Sequence, residues 1–113
     1  MNILFLDNDN KRIKLFKQSV KTAKIAKTAK ECIKILKTED RWNILFLENT
    51  SIKIVDWIVE NQPFIRNIII LSDEQPTPTI TDKILLDKLK DAQYKAVYIP
   101  FNTMMKNLEH LYG

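Results

Sequence analysis

The residues of this sequence that could do chemistry stand directly behind its apolar runs. Leu6 is followed by Asp7-Asn8-Asp9, Leu47 by Glu48-Asn49-Thr50, and Leu71 by Ser72-Asp73-Glu74. A hard cation such as Mg²⁺ takes oxygen ligands, usually one or two carboxylates completed by water. Asp7, Asp9 and Glu48 could supply them, so the sequence allows weak Mg²⁺ binding or no cofactor at all. The competing reading makes these acids ordinary polar strand ends that cap the helices behind them. Ser72 fits either a hydrogen bond to Glu48 or a loop-opening hydroxyl satisfied by nearby backbone. Asp73 and Glu74 read as solvated loop acids, and Arg12 as a partner for Asp9. His110, the one histidine, fits a helix end stabilised by the dipole, which leaves acid–base chemistry to carboxylates. Cys32, the one cysteine, excludes a disulfide framework and reads as a core residue. Gly113 is the one glycine, so no glycine-rich loop can cradle a phosphate, and dinucleotide-binding and P-loop chemistry are excluded.

Five apolar segments must position these residues. Asn2–Leu6, Trp42–Leu47 and Asn67–Leu71 are nearly continuous runs of the kind that form strands buried on both faces, and Lys24–Ala26 and Lys95–Ile99 complete the set. Between them the apolar spacing is helical. Asn10 can cap a helix over Lys11 to Thr22, with Ile13, Phe16 and Val20 inward. Thr28 can cap Ala29 to Lys37, with Cys32, Ile33 and Leu36 inward, and Ser51 can cap Ile52 to Asn61, with Ile54, Val55, Ile58 and Val59 inward. Pro63 is a stop signal, and Pro76 and Pro78 mark a loop. Thr81 can cap a helix to about Ala92 with Ile84, Leu85, Leu89 and Ala92 inward. Asn102 to Tyr112 is the last helix, with Met104, Met105, Leu108 and Leu111 inward. Strict alternation calls for a parallel sheet covered on both faces. The expected architecture is one three-layer, flavodoxin-like α/β domain over residues 1–113 with strand order 2-1-3-4-5. Its C-terminal rim would gather Asp7, Asn8, Asp9, Glu48, Asn49, Ser72 and Asp73, where open α/β sheets bind ligands.

At that rim the chain resembles a response-regulator receiver domain along its whole length. Such domains carry an acidic pair after the first strand, a phospho-accepting Asp ending the third, a Ser or Thr ending the fourth, and a Lys before a Pro after the fifth. Here Asp7-Asn8-Asp9 stands at the acidic pair, Glu48 at the acceptor, Ser72 at the hydroxyl, and Ile99-Pro100-Phe101 puts isoleucine where the lysine belongs. Thr28 to Leu36, Val55-Asp56-Trp57-Ile58 and Asp91-Ala92-Gln93-Tyr94 are similar to the cyclic-phosphate processing receiver-like family. That family shows an Asp-rich first loop followed by Arg, then Asp-His-Asp, then His-Ser-x-Asn. Asp7, Asp9 and Arg12 are kept, but Glu48-Asn49-Thr50 and Leu71-Ser72-Asp73-Glu74 lack both histidines. The resemblance implies a receiver fold and, for Arg12, contact with a phosphate. Glu48 extends a methylene beyond an Asp, and a misplacement of about 1 Å can cost roughly two decades in rate. The missing lysine removes the electrostatic partner of a phosphoryl group. The expectation is a pseudo-receiver that is not phosphorylated and acts as a regulatory or protein-interaction module. The alternative is a metal-dependent phosphoesterase or cyclic-phosphate processing domain carried by Asp7, Asp9, Glu48 and Ser72.

Charge is unevenly spread. Residues 1–42 carry 11 Lys/Arg against 5 Asp/Glu, and residues 43–113 carry 7 against 9. A basic half can draw phosphate-bearing partners, so nucleotide or nucleic-acid binding is a second alternative. It is not favoured, because no aromatic series interleaves with these lysines beyond the core-facing Phe16, and Trp42 and Trp57 read as packing residues. Protein partners or self-association are expected on the face of the fourth helix, fifth strand and fifth helix, which would offer Tyr94, Tyr98, Phe101, Met104 and Met105, some of them core residues. The apolar runs are too short to span a bilayer, the first residues lack a signal-peptide pattern, and the lone cysteine fits a reducing cytoplasm.

Overall fold

The apolar runs become strands and the helical spacings become helices in strict alternation. The structure, a computed structural model, describes residues 1–48, 52–72 and 77–108. The strands are β1 (Ile3–Leu6), β2 (Lys24–Ala26), β3 (Arg41–Glu48), β4 (Phe64–Ser72) and β5 (Ala96–Pro100). The helices are α1 (Asn10–Ser19), α2 (Ala29–Leu36), α3 (Ile52–Asn61), α4 (Ile80–Asp91) and α5 (Phe101–Lys106). All strand pairs are parallel, and the order is β2-β1-β3-β4-β5, the expected flavodoxin-like arrangement.

Alternate strand residues serve opposite layers, which is why the runs are continuously apolar. Leu4, Leu6, Leu45, Leu47, Ile68 and Ile70 pack with Cys32 and Leu36 of α2, with Ile54, Val55 and Ile58 of α3, and with Leu85, Leu86 and Leu89 of α4. Ile3, Phe5, Ile44, Phe46, Ile69 and Leu71 face the other way, onto Phe16 of α1, Val20 just beyond it, Phe101 and Met104 of α5, and Leu108.

Several boundaries differ from the sequence reading. Asp9, not Asn10, caps α1, its carboxylate accepting from the Arg12 amide at 3.1 Å. α1 ends at Ser19 rather than Thr22. β4 begins earlier, at Phe64, and Lys95 lies just before β5. Thr28 caps α2 as expected, through the Glu31 amide. α4 is capped by Thr79 rather than Thr81. The Thr79 hydroxyl accepts from the Asp82 amide at 3.1 Å, and the Asp82 carboxylate accepts from the Thr79 amide at 2.8 Å. The inward stripe of α4 is Asp82, Leu85, Leu86 and Leu89, so Ile84 points to solvent. Asp82 opens that stripe with its Oδ2 engaged as a buried cap, while its Oδ1 is buried without a hydrogen-bond partner among the described residues. The expected cap Ser51, and the inward Leu111, lie outside the described residues.

Candidate functional site

The sheet reverses its direction of growth between β1 and β3, so the crevice above their C-terminal ends is the site such a topology offers. Asp7 leaves β1 there with its amide bonded to the Ala26 carbonyl at 3.1 Å, and is 2% exposed. One turn into α1, Arg12 reaches back. Its Nε donates to Asp7 Oδ2 at 2.6 Å and its Nη2 to Oδ1 at 3.0 Å, while the Asp9 amide adds a bond to Oδ1 at 2.9 Å. This is the two-pronged guanidinium–carboxylate geometry, the strongest kind of side-chain pair.

Asp9 is engaged elsewhere. Its Oδ1 caps α1, and its Oδ2 stands 3.9 Å from Arg12 Nη1. The hydrogen bond from the Arg12 amide holds the Asp9 carboxyl below the usual carboxylate value against desolvation, and the Arg12 charge adds a smaller lowering effect. Arg12 was expected to pair with Asp9, but its short bonds go to Asp7 because the Asp9 oxygen nearest the helix is committed to the backbone. A divalent cation using Asp7, Asp9 and Glu48 would have to displace the guanidinium, so the arrangement does not fit one. Among the described residues no three Asp, Glu, His or Cys side chains are grouped so as to hold a metal ion.

Glu48 ends β3, half-buried, in register with Leu71. Ser72 ends β4 and is buried, but the partner of its hydroxyl is the Tyr98 hydroxyl at 2.5 Å rather than Glu48. Parallel pairing of β4 with β5 sets Ser72 opposite Pro100 and Ile70 opposite Tyr98, which brings the β5 phenol beside the serine. Asn49, Thr50, Asp73, Glu74 and His110 lie outside the described residues.

A cleft of about 400 Å³ opens over β1 and β3, lined by Asp7, Asn8 and Glu48 and by Lys27 and Lys53. The two lysines were not singled out from the sequence. Their signal was position: Lys27 directly follows β2, and Lys53 is the second residue of α3. Elsewhere, Trp42 is a packing residue whose Nε1 donates to the Leu36 carbonyl at 3.0 Å, and Trp57 lies half-buried in the same layer. Cys32 is buried as expected, which pushes its thiol up to about 12.

On the α4–β5–α5 face, several of the expected residues are engaged within the fold, some of them in the core as expected. Phe101 and Met104 belong to the core, the Tyr94 hydroxyl donates to the Pro63 carbonyl at 2.5 Å, and Tyr98 meets Ser72. The apolar residues exposed on α4 and β5 are instead Ile80, Ile84 and Val97, at 79%, 51% and 51%. Among the described residues no helix is long and apolar enough to cross a membrane.

No protein-family model matches the chain, and no curated protein is similar to it. Among solved structures it is similar to a de novo designed Rossmann 2×3 fold protein determined by solution NMR, with a TM-score of 0.57 and 15% identity over 96% of this chain and 86% of that one. A likeness at that identity establishes the fold alone: a three-layer, flavodoxin-like α/β sandwich whose function has to be argued from its site.

Proposed function

We propose that this chain is a non-catalytic, receiver-like regulatory module of the cytoplasm that acts by binding protein surfaces. The observation that carries the reading is the two-pronged contact of Arg12 on the buried Asp7 carboxylate. A receiver cycle needs an exchangeable cation on these acids. Here a tethered guanidinium takes its place, and no change of ion concentration dilutes it. Ile99 at the lysine position and the longer Glu48 at the acceptor position support the same reading, because each removes a part that phosphoryl transfer uses. The exposed Ile80, Ile84 and Val97 support a docking role.

The test is a heat-stability titration with Mg²⁺ and Mn²⁺, run beside exposure to acetyl phosphate with intact-mass detection. The wild-type transition is expected not to move, and no covalent phosphate is expected. Arg12→Ala leaves Asp7 buried and uncompensated, which is expected to cost about 3–5 kcal/mol. Mn²⁺ should then recover part of that loss. Stabilisation of the wild-type chain by Mn²⁺, or a phosphorylated Glu48, would overturn the reading.

A further inference from the structure

We infer that the cleft over the β1–β3 junction binds a small phosphate monoester, held by the ammonium groups of Lys27 and Lys53 without a metal. The inference rests on the reading that Arg12 already satisfies Asp7. Among the described residues, the cleft's carboxylates are Asp7 and Glu48. With Asp7 held by Arg12, the described residues set two ammonium groups against one carboxylate, Glu48. Among the described residues, neither Lys27 nor Lys53 has an ion-pair partner.

Each lysine stands where a helix start disfavours a cation. Lys53 sits in the first turn of α3, which carries no acidic residue, and Lys27 immediately precedes the Thr28 cap of α2. Both cations therefore stand at the positive ends of helices, where a bound anion would be stabilised and a lysine is not. Ala29 and Ile52, the first residues of α2 and α3, also line the cleft, so both helix starts border it. The Thr28 hydroxyl accepts from the Glu31 amide. The Ala29 and Lys30 amides, at the first two positions of the helix, have no carbonyl one turn back to accept them. Two ammonium groups and two helix starts suit a dianionic tetrahedral oxyanion better than a planar carboxylate. Leu6, Ala29 and Ile52, the last 47% exposed, give the same cleft an apolar wall for an organic substituent. A volume of about 400 Å³ falls in the range of small-molecule sites.

The experiment is an amide-resolved NMR titration in EDTA with inorganic phosphate, adenosine monophosphate and adenosine as probes. Saturable shifts are expected at Ala29, Lys30, Ile52 and Lys53 with inorganic phosphate and adenosine monophosphate, and the monophosphate should bind more tightly than adenosine. Loss of a charged hydrogen bond weakens binding about tenfold or more, so Lys27→Ala and Lys53→Ala should each do so, and both together further. Lys53→Met, which keeps the apolar stem, should match Lys53→Ala. The paired Lys14→Ala, Lys21→Ala variant lowers net charge equally and should leave affinity near wild type. No saturable shift, adenosine binding as well as its monophosphate, or equal loss in the Lys14/Lys21 control would overturn the inference. Because EDTA removes divalent ions, failure here is separate from failure of the metal titration, which tests Arg12 alone.

Discussion

Asp7, Asp9 and Arg12 were legible as a group in the sequence, but their pairing was not. Two acids compete for one guanidinium, and the outcome depends on which carboxylate the helix start consumes. Asp9 gives its Oδ1 to the Arg12 amide, so the arginine closes on Asp7. Ser72 is similar: the sequence suggested Glu48 or nearby backbone as its partner, but the partner is Tyr98, 26 residues away on β5. Cys32 offers the sharpest single-residue prediction. Burial raises its thiol from 9.0 to about 12, so the folded chain keeps a proton that the unfolded chain gives up first. The stability from this group is therefore fully present below pH 9 and is lost as pH climbs toward 12. The loss amounts to about 1.4 kcal/mol per pH unit within that window. Urea unfolding of wild type and Cys32→Ala at pH 8 and pH 10.5 checks this: the wild-type midpoint should fall relative to the variant at the higher pH. Equal pH dependence in the two proteins would show that the thiol titrates normally.

At the scale of elements, α4 carries a testable surface. Ile80, Lys83, Ile84 and Asp87 form one exposed stripe at helical spacing, opposite the buried Asp82, Leu85, Leu86 and Leu89. A two-fold contact between copies would bury the isoleucines and set each Lys83 against the partner's Asp87, a self-complementary pattern. Sedimentation is expected to show concentration-dependent dimers, lost in Ile84→Glu. Lys83→Asp and Asp87→Lys should each weaken the dimer, and their combination should recover it. A strict monomer at every concentration would remove this face from the argument. The sequence hid the stripe because its core side opens on an acid. Thr79 and Asp82 have the spacing of a capping box, but Thr81 is equally a capping residue, and an inward Asp at the head of the helix breaks the apolar pattern. The strands were easier to read, since burial on both faces leaves runs such as Ile68 to Leu71 unbroken. Helix exits were harder, because this glycine-poor chain uses Gln62 and Gln93 at φ of 53° and 73° where glycine usually marks the end.

The whole molecule divides into two apolar layers that share one sheet, and stability should be a property of both together. The α1–α5 layer is built on aromatic rings. Phe5 stacks on Phe16 with centroids 4.2 Å apart and planes 11° from parallel, and Phe46 meets Phe16 edge-on at 5.0 Å. Phe101 reaches Phe5 from α5 at 6.4 Å, so the rings tie both helices to β1 and β3. Phe16 is fully buried, and Phe16→Ala should cost about 3–5 kcal/mol, against roughly 5–15 kcal/mol for a typical domain. The neighbouring Leu15 is half-exposed, so Leu15→Ala should change stability by less than about 0.5 kcal/mol. Trp42 and Trp57 lie in the opposite layer and report on it by fluorescence, while far-ultraviolet circular dichroism reports on the whole chain. If the sheet couples the layers, Phe16→Ala lowers the urea midpoint of both signals equally and leaves the slope unchanged. A fluorescence transition that stays at the wild-type midpoint while the dichroism transition moves would mean that the α2–α4 layer holds together without the aromatic one.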